Sequence, residues 1–287
     1  MKCPTCFSES NFSHEYVSDS RIFNSRKIFG CFGCQMHFAD ISQENLNQYY
    51  ELSYDQSHNL RGREHPSPKK YFADEKLQFK PYRSKLHAKF IKKYLSKKNS
   101  NHINIIDFGA GFGTTLFHLN KNFLNSKIYA YENSKVCQNY LKFIDAHLLE
   151  GDPLDSLRWI DLSFDVVVMS HFLEHLSAHI LKEFIDLLAK KMTASSVLLI
   201  EVPNDNWFKF PDREHDSEPH SLFFSNVALR SFVEQQYDVK FLAAYTPSSP
   251  NEKLSIPMRV LLRIRKVIFG IPYYSSGGSL LMVARKL

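Results

Sequence analysis

The sequence predicts a doubly wound α/β domain preceded by a small metal-binding module, and three observations carry that expectation. From about Asn101 onward, short continuous apolar runs (INIIDF, KIYAYE, AHLLEG, FDVVVMS, SSVLLIEV and YDVKFLAAY) alternate with helical patterns. Runs that are apolar without alternation belong to a parallel sheet covered on both faces. The first run ends in an acid and passes into three glycines at alternate positions, IIDFGAGFGTTL at residues 105–116. Upstream, CPTC and CFGC place Cys3, Cys6, Cys31 and Cys34 as two C-x2-C pairs.

The amino-terminal module spans residues 1–60. Each C-x2-C turn offers two sulfurs a few ångströms apart, and two such turns close one tetrahedral zinc shell. A shell of four thiolates has no open position for substrate, so the zinc is expected to be structural. The 24 residues between Cys6 and Cys31 suit a small hairpin, with SRKIFGCFGC as the strand entering the second knuckle. His37 is a weaker fifth ligand candidate.

Residues 61–98 form a basic connector with 13 Lys and Arg against 3 Asp and Glu. Pro66 and Pro68 are expected to break regular structure in it. From about Asp74 to Lys97, apolar residues recur three or four apart with lysines outside, an amphipathic helix expected to pack on the next domain. Basic blocks of this kind face anionic partners when they are not simply solvated.

Residues 99–287 make the α/β domain. Where the first strand ends at Asp107, Gly109, Gly111 and Gly113 permit a tight turn and the close approach of a ligand to the backbone. The spacing D-x-G-x-G-x-G lacks the extra residue of the dinucleotide G-x-G-x-x-G pattern, which argues against NAD. The second strand ends in Glu132, where a carboxylate can accept bonds from both ribose hydroxyls. The third ends at EGDP, where Asp152 can meet an adenine amino group.

These residues resemble the class I S-adenosylmethionine-dependent methyltransferases over about residues 101–245. The resemblance implies a Rossmann-like sheet in which DFGAGFG wraps the methionine part of the cofactor, Glu132 holds the ribose and Asp152 contacts adenine. FDVVVMSHFLEHL is similar to the family's fourth-strand motif, which implies that Ser170 and His171 line the cofactor. The whole chain resembles a subgroup from sugar and natural-product pathways that carries an N-terminal zinc-binding module. CFGCQMHFADISQENLNQYYELSYD matches its second knuckle and following segment, and PHSLFFSNVALRSFVEQQYDVKFL its histidine and last helix. Where the subgroup's sugar C-methyltransferases carry a tyrosine and an extra histidine before the histidine matched by His220, this chain has DSEPH. C-methylation is therefore not implied.

Methyl transfer from a sulfonium is an in-line displacement, so alignment and exclusion of water dominate. A hydroxyl or carbon acceptor must also lose a proton, and histidine has the suitable pKa. His220, after strand five on the loop EVPNDNWFKFPDREHDSEPH, is the first candidate base. His175 and Glu174 in FLEHL are alternatives, expected at a helix start, where the acid also suits the positive dipole end. His215 is a weaker candidate, and Trp207, Phe208 and Phe210 suit a lid or sugar platform.

Within the last domain, residues at about 255–270 (SIPMRVLLRIRKVIFG) read as an inserted basic amphipathic helix. Such a helix suits core packing, a dimer contact or an anionic membrane surface. With 44% hydrophobic residues but no apolar run of the roughly 18–20 residues that span a bilayer, no secretory signal, and paired cysteines suited to a reducing compartment, the expectation is a cytoplasmic enzyme, or one peripheral at the inner membrane face. The expected acceptor is a sugar of a nucleotide-linked or surface-glycan, lipopolysaccharide-type precursor in carbohydrate biosynthesis. RNA methylation is the alternative enzyme reading, although no aromatic-plus-basic RNA-reading motif accompanies the basic segment. A cofactor-binding interaction module without turnover is the non-enzyme alternative.

Overall fold

The computed structural model describes residues 1–17, 25–52, 65–95, 102–204, 220–245 and 278–287. His215, Trp207, Phe208, Phe210 and the basic stretch 255–270 lie outside the described residues.

The chain begins with β1 (Asn11–Val17), β2 (Ser25–Cys31) and β3 (Met36–Ala39), followed by α1 (Gln43–Leu52). β1–β2 and β2–β3 pair antiparallel, as the hairpin reading of the cysteine gap requires. Ser42 opens α1 by accepting the Asn45 N–H on its hydroxyl at 3.2 Å, a side-chain N-cap.

Next come α2 (Pro68–Ala73) and α3 (Pro81–Tyr94), separated by a 3-10 turn at Glu75–Leu77. Pro68 starts a helix rather than breaking one, because a first-turn N–H has no intrahelical acceptor to lose. The long helix begins at Pro81, later than the periodicity suggests: Lys80 sits at φ 46 and interrupts the pattern. Leu86, Phe90 and Ile91 of α3 enter the core of the large sheet, while Lys85, Lys89, Lys92 and Lys93 stay exposed.

The large sheet then forms from β4 (Asn104–Phe108), β5 (Lys127–Tyr131), β6 (His147–Leu149), β7 (Phe164–Ser170), β8 (Met192–Pro203), β10 (Tyr237–Tyr245) and β11 (Ser279–Lys286); β9 is Leu222–Phe223. Between them lie α4 (Thr114–Asn122), α5 (Lys135–Phe143), α6 (Pro153–Trp159), α7 (Leu181–Lys190) and α8 (Asn226–Val233). The strand order is β10-β11-β8-β7-β4-β5-β6. β8, β7, β4, β5 and β6 are parallel, whereas β11 runs antiparallel between β10 and β8. The run GSLLMVARK at residues 278–286 reads as a final strand, but its direction is not legible, because a strand buried on both faces reads as the same apolar run whichever way it points.

Alternation along the strands serves two cores. Ile106, Phe108, Val167 and Met169 face one cluster with Phe184 and Leu188 of α7 and Leu229 of α8. Ile105, Val166 and Val168 face the other, with Leu116 of α4 and Leu141 of α5.

The amino-terminal module is built into this domain rather than attached to it. β3 pairs with β9, His37 opposite Phe223 and Phe38 opposite Leu222, so the module's four-stranded sheet takes its last strand from the large α/β domain. Cys3, Cys31, Cys34, Met36 and Phe38 share one continuous core with Phe224, Ala228 and Phe232. Ser225 donates to the Cys34 carbonyl at 2.7 Å, and Gln235 to the Thr5 carbonyl at 2.7 Å.

Candidate active site

Parallel α/β sheets bind ligands in the crevice beyond the carboxyl ends of their strands. Here a cavity of about 540 Å3 opens there, lined at β4 and β5 by Asp107, Gly109, Gly111 and Glu132, and at β7 by Ser170 and His171. The structure brings these six residues, singled out in the sequence, to one cavity.

The glycine turn has two distinct uses. Gly113, at φ 72, begins α4, and a Cβ there would approach Leu141 Cδ2 to 2.8 Å, so this glycine lets α4 and α5 pack. Gly111, at φ 54, has no atom within 4 Å of where its Cβ would be, and it opens on the cavity. Glu132 fixes the turn: Oε2 accepts the Gly111 N–H at 2.7 Å and Oε1 accepts the Ser134 N–H at 2.8 Å.

Asp107 is buried, and its Oδ1 accepts no hydrogen bond. Burial, together with the nearby Glu132 charge, pushes this carboxyl well above the usual carboxylate range. Asp152 has a job the sequence did not suggest: its Oδ1 accepts the N–H groups of Leu154 and Asp155 at 2.8 Å each and caps α6. Its neighbour Pro153 lines the cavity, and neither Asp152 nor Gly113 does.

The opposite wall gathers His175, Leu176 and His220 with Gln43, Asn47 and Tyr50 of α1. One carboxylate oxygen of Glu174 and one ring nitrogen each of His175 and His220 lie within 4.8 Å of one another. The His175 and His220 rings meet at 4.8 Å between centroids and 62°. Thus the three catalytic candidates, two from one strand end and one from 45 residues later, occupy one site.

Glu174 does not begin an α-helix. It sits in the 3-10 turn Leu173–His175, fully buried, with Oε1 2.9 Å from His171 Nδ1 and Oε2 accepting no hydrogen bond. His171 also stands 3.5 Å from Glu201, which in turn contacts Arg83 Nε at 3.2 Å and His87 Nε2 at 2.7 Å. Burial alone would lower the His171 pKa, but the bonds and charges of Glu174 and Glu201 outweigh it and raise it to about 9. Glu174 and Glu201 move oppositely: burial favours their neutral forms, yet hydrogen bonding to His171 and the surrounding positive charges hold both below the usual carboxylate range. His171 is therefore an imidazolium at neutral pH between two carboxylates. Its φ of 55, rare for a residue with a side chain, is held by its N–H bond to the Glu201 carbonyl at 2.7 Å.

His220 is fixed through its backbone. Its carbonyl accepts from Arg26 Nη1 of β2 at 2.6 Å, and the next residue, Ser221, donates its N–H to Glu174 O and accepts the Ala39 N–H of β3. Sequence reasoning found His220 but not Arg26, nor the α1 residues. The available signal was the spacing of Gln43, Asn47 and Tyr50, four and three apart on one helix face.

At the far side of β3, Cys3 Sγ and Cys34 Sγ stand 3.5 Å apart, Cys6 Sγ and Cys31 Sγ 3.4 Å apart, and all four sulfurs within 4.8 Å. Tetrahedral zinc–thiolate geometry separates sulfurs by about 3.8 Å, so the set fits one cation. His37 instead lies against Gly30, whose Cβ would meet its ring at 2.9 Å, and is not among the four clustered ligands.

Among solved structures, a coclaurine N-methyltransferase bound to N-methylheliamine and SAH aligns with a TM-score of 0.51 and 11% identity, over 85% of this chain and 86% of that one. The plantazolicin methyltransferase BpumL in complex with SAH gives 0.51 and 13%, over 84% and 93%. Its counterpart BamL, with a triazolic desmethylPZN analog and SAH, gives 0.51 and 15%, over 83% and 93%. At such identities the likeness is one of fold. No curated protein matches the sequence. The family model described as methyltransferase domain matches residues 79–250, from the turn before α3 to beyond β10. With more than half its length so matched, the chain belongs to the methyltransferase domain family.

Proposed function

We propose that the protein is an S-adenosylmethionine-dependent methyltransferase acting on a sugar hydroxyl of a nucleotide-linked or surface-glycan precursor. The observation that carries the reading is one cavity with two unlike walls: a glycine turn and Glu132 on one side, and His175 and His220 on the other. The cofactor supplies an electrophilic methyl group on a sulfonium.

The chain's own residues fit that ligand. Gly111 leaves backbone open to it, Glu132 lines the cavity at the end of β5 where the ribose is expected, and the orphaned Asp107 Oδ1 offers an acceptor at the strand end. In the relatives BpumL and BamL, SAH is part of the solved complexes, which supports the same cofactor class here.

At the other wall, His220 accepts the proton of the acceptor hydroxyl, with His175 as its partner ring. Glu174 is fully buried and held below the usual carboxylate range, so its role here is electrostatic. It stabilises the imidazolium formed on proton transfer, as a buried carboxylate does for a histidine base. The four cysteines hold a structural zinc, which fixes the strand that supports His220. We also propose that residues 255–270 contact an anionic membrane where a lipid-linked acceptor is presented.

Purified protein incubated with methyl-labelled S-adenosylmethionine and cell extract, then fractionated, tests the assignment. Label in nucleotide sugar or glycan is expected. Label in RNA would replace the acceptor class, and no transfer would return the chain to a binding role.

A further inference from the structure

Helix α1 has two unlike faces. Leu46 and Tyr49 are buried against Ile28, Ala39, Ile41 and Phe223, which seats the helix on the cysteine module's sheet. Gln43, Asn47 and Tyr50 line the cavity beside His175 and His220.

The two amides on that face are held in fixed orientations. Gln43 Oε1 accepts the Ser177 N–H at 3.0 Å, so its Nε2 must be the donor end, and it donates to Asn47 Oδ1 at 3.0 Å. That relay leaves the Asn47 Nδ2 group facing away from Gln43, half-buried, with no bonding partner among the described residues. Beside it, Tyr50 meets His175 edge to face, with centroids 6.1 Å apart. An oriented NH2 donor next to an aromatic ring recognises a neutral, hydroxyl-bearing ring: the donor bonds a hydroxyl oxygen, and the aromatic ring covers the C–H face.

We propose that Gln43, Asn47 and Tyr50 form the sugar-recognition face of the acceptor site, so that the cysteine module determines acceptor specificity as well as supporting the fold. This rests on the sugar-acceptor reading above.

The test uses the zinc-replete full chain saturated with S-adenosylhomocysteine, and ligand-observed saturation-transfer NMR with uridine diphosphate glucose and methyl α-glucoside as probes. Asn47→Asp keeps the acceptor for Gln43 and removes the two donors. Binding of either probe to the wild type, weakened about tenfold in Asn47→Asp with S-adenosylhomocysteine affinity unchanged, is expected from loss of one oriented donor pair. Asn47→Leu serves as a second variant and should weaken the probe at least as much. Equal probe affinity in wild type and both variants would overturn this inference and leave the sugar reading standing. Failure of both probes to bind the wild type would overturn the sugar reading and this inference with it.

Discussion

The two walls of the cavity are built in opposite ways. The wall of Asp107, Gly109, Gly111 and Glu132 comes from a single β–turn–α–β stretch of fewer than 30 residues, with Glu132 bonding back to Gly111. The wall of Asn47, His175 and His220 comes from three segments far apart in sequence, held by β3–β9 pairing, by Arg26 on the His220 carbonyl, and by Ser221 bridging Glu174 and Ala39. A site made from one stretch tolerates change elsewhere in the molecule, whereas one assembled from three depends on everything that keeps them in register. The first wall should therefore fail only by direct insult, and the second also from a distance.

The largest effect expected is at the local wall. Gly111→Arg, a bulky side chain at φ 54 opening into the cavity, should abolish binding of S-adenosylmethionine and its demethylated product in calorimetry, whereas retained binding would show that the turn is not the cofactor wall. At the assembled wall, His220→Ala should slow turnover by roughly a hundred- to ten-thousand-fold with cofactor affinity nearly unchanged. Unaltered turnover would mean that the acceptor needs no base there.

Removing metal from the cysteine cluster probes the difference at long range. About one zinc atom per chain is expected, and its chelation should lower Tm and abolish methyl transfer, because β3, β9 and His220 are anchored through that cluster. Metal-free protein that stays folded and active would disconnect the module from the site.

A smaller effect is expected in pH dependence. The His171 pKa is raised from 6.5 to about 9, so the protonated ring stabilises the fold in full below about 6.5, and that contribution is lost as pH rises through 9. Tm measured from pH 6 to 10 should fall across this window in the wild type and much less in His171→Asn. Identical profiles would remove the imidazolium from the account. Glu174 and Glu201, depressed in the folded state, contribute the opposite way, stabilising above their unfolded values and losing that contribution in acid.

The smallest effect concerns the stretch at 255–270. Sedimentation with anionic vesicles should weaken with salt and drop on changing Arg263 and Arg265 to Glu, since each basic residue near such a surface contributes on the order of 1 kcal/mol. Absence of vesicle binding at every salt concentration would leave a soluble nucleotide sugar as the acceptor.

The sequence alone determined the strands of the central sheet, the glycine turn with Glu132, the two cysteine knuckles and the three candidate groups Glu174, His175 and His220. Each depends on local rules: apolar runs of strand length, glycines where φ is positive, and sulfurs with two residues between them on a turn. Only the tertiary structure decided what those residues meet. The direction of β11, the capture of Leu222–Phe223 by the module's sheet, the capping use of Asp152 and the placing of Asn47 in the cavity all depend on contacts between distant segments. The pairing of His171 with both Glu174 and Glu201 shows the reason: a buried charge must find its partner wherever packing brings one, and sequence spacing records the charge but not the partner.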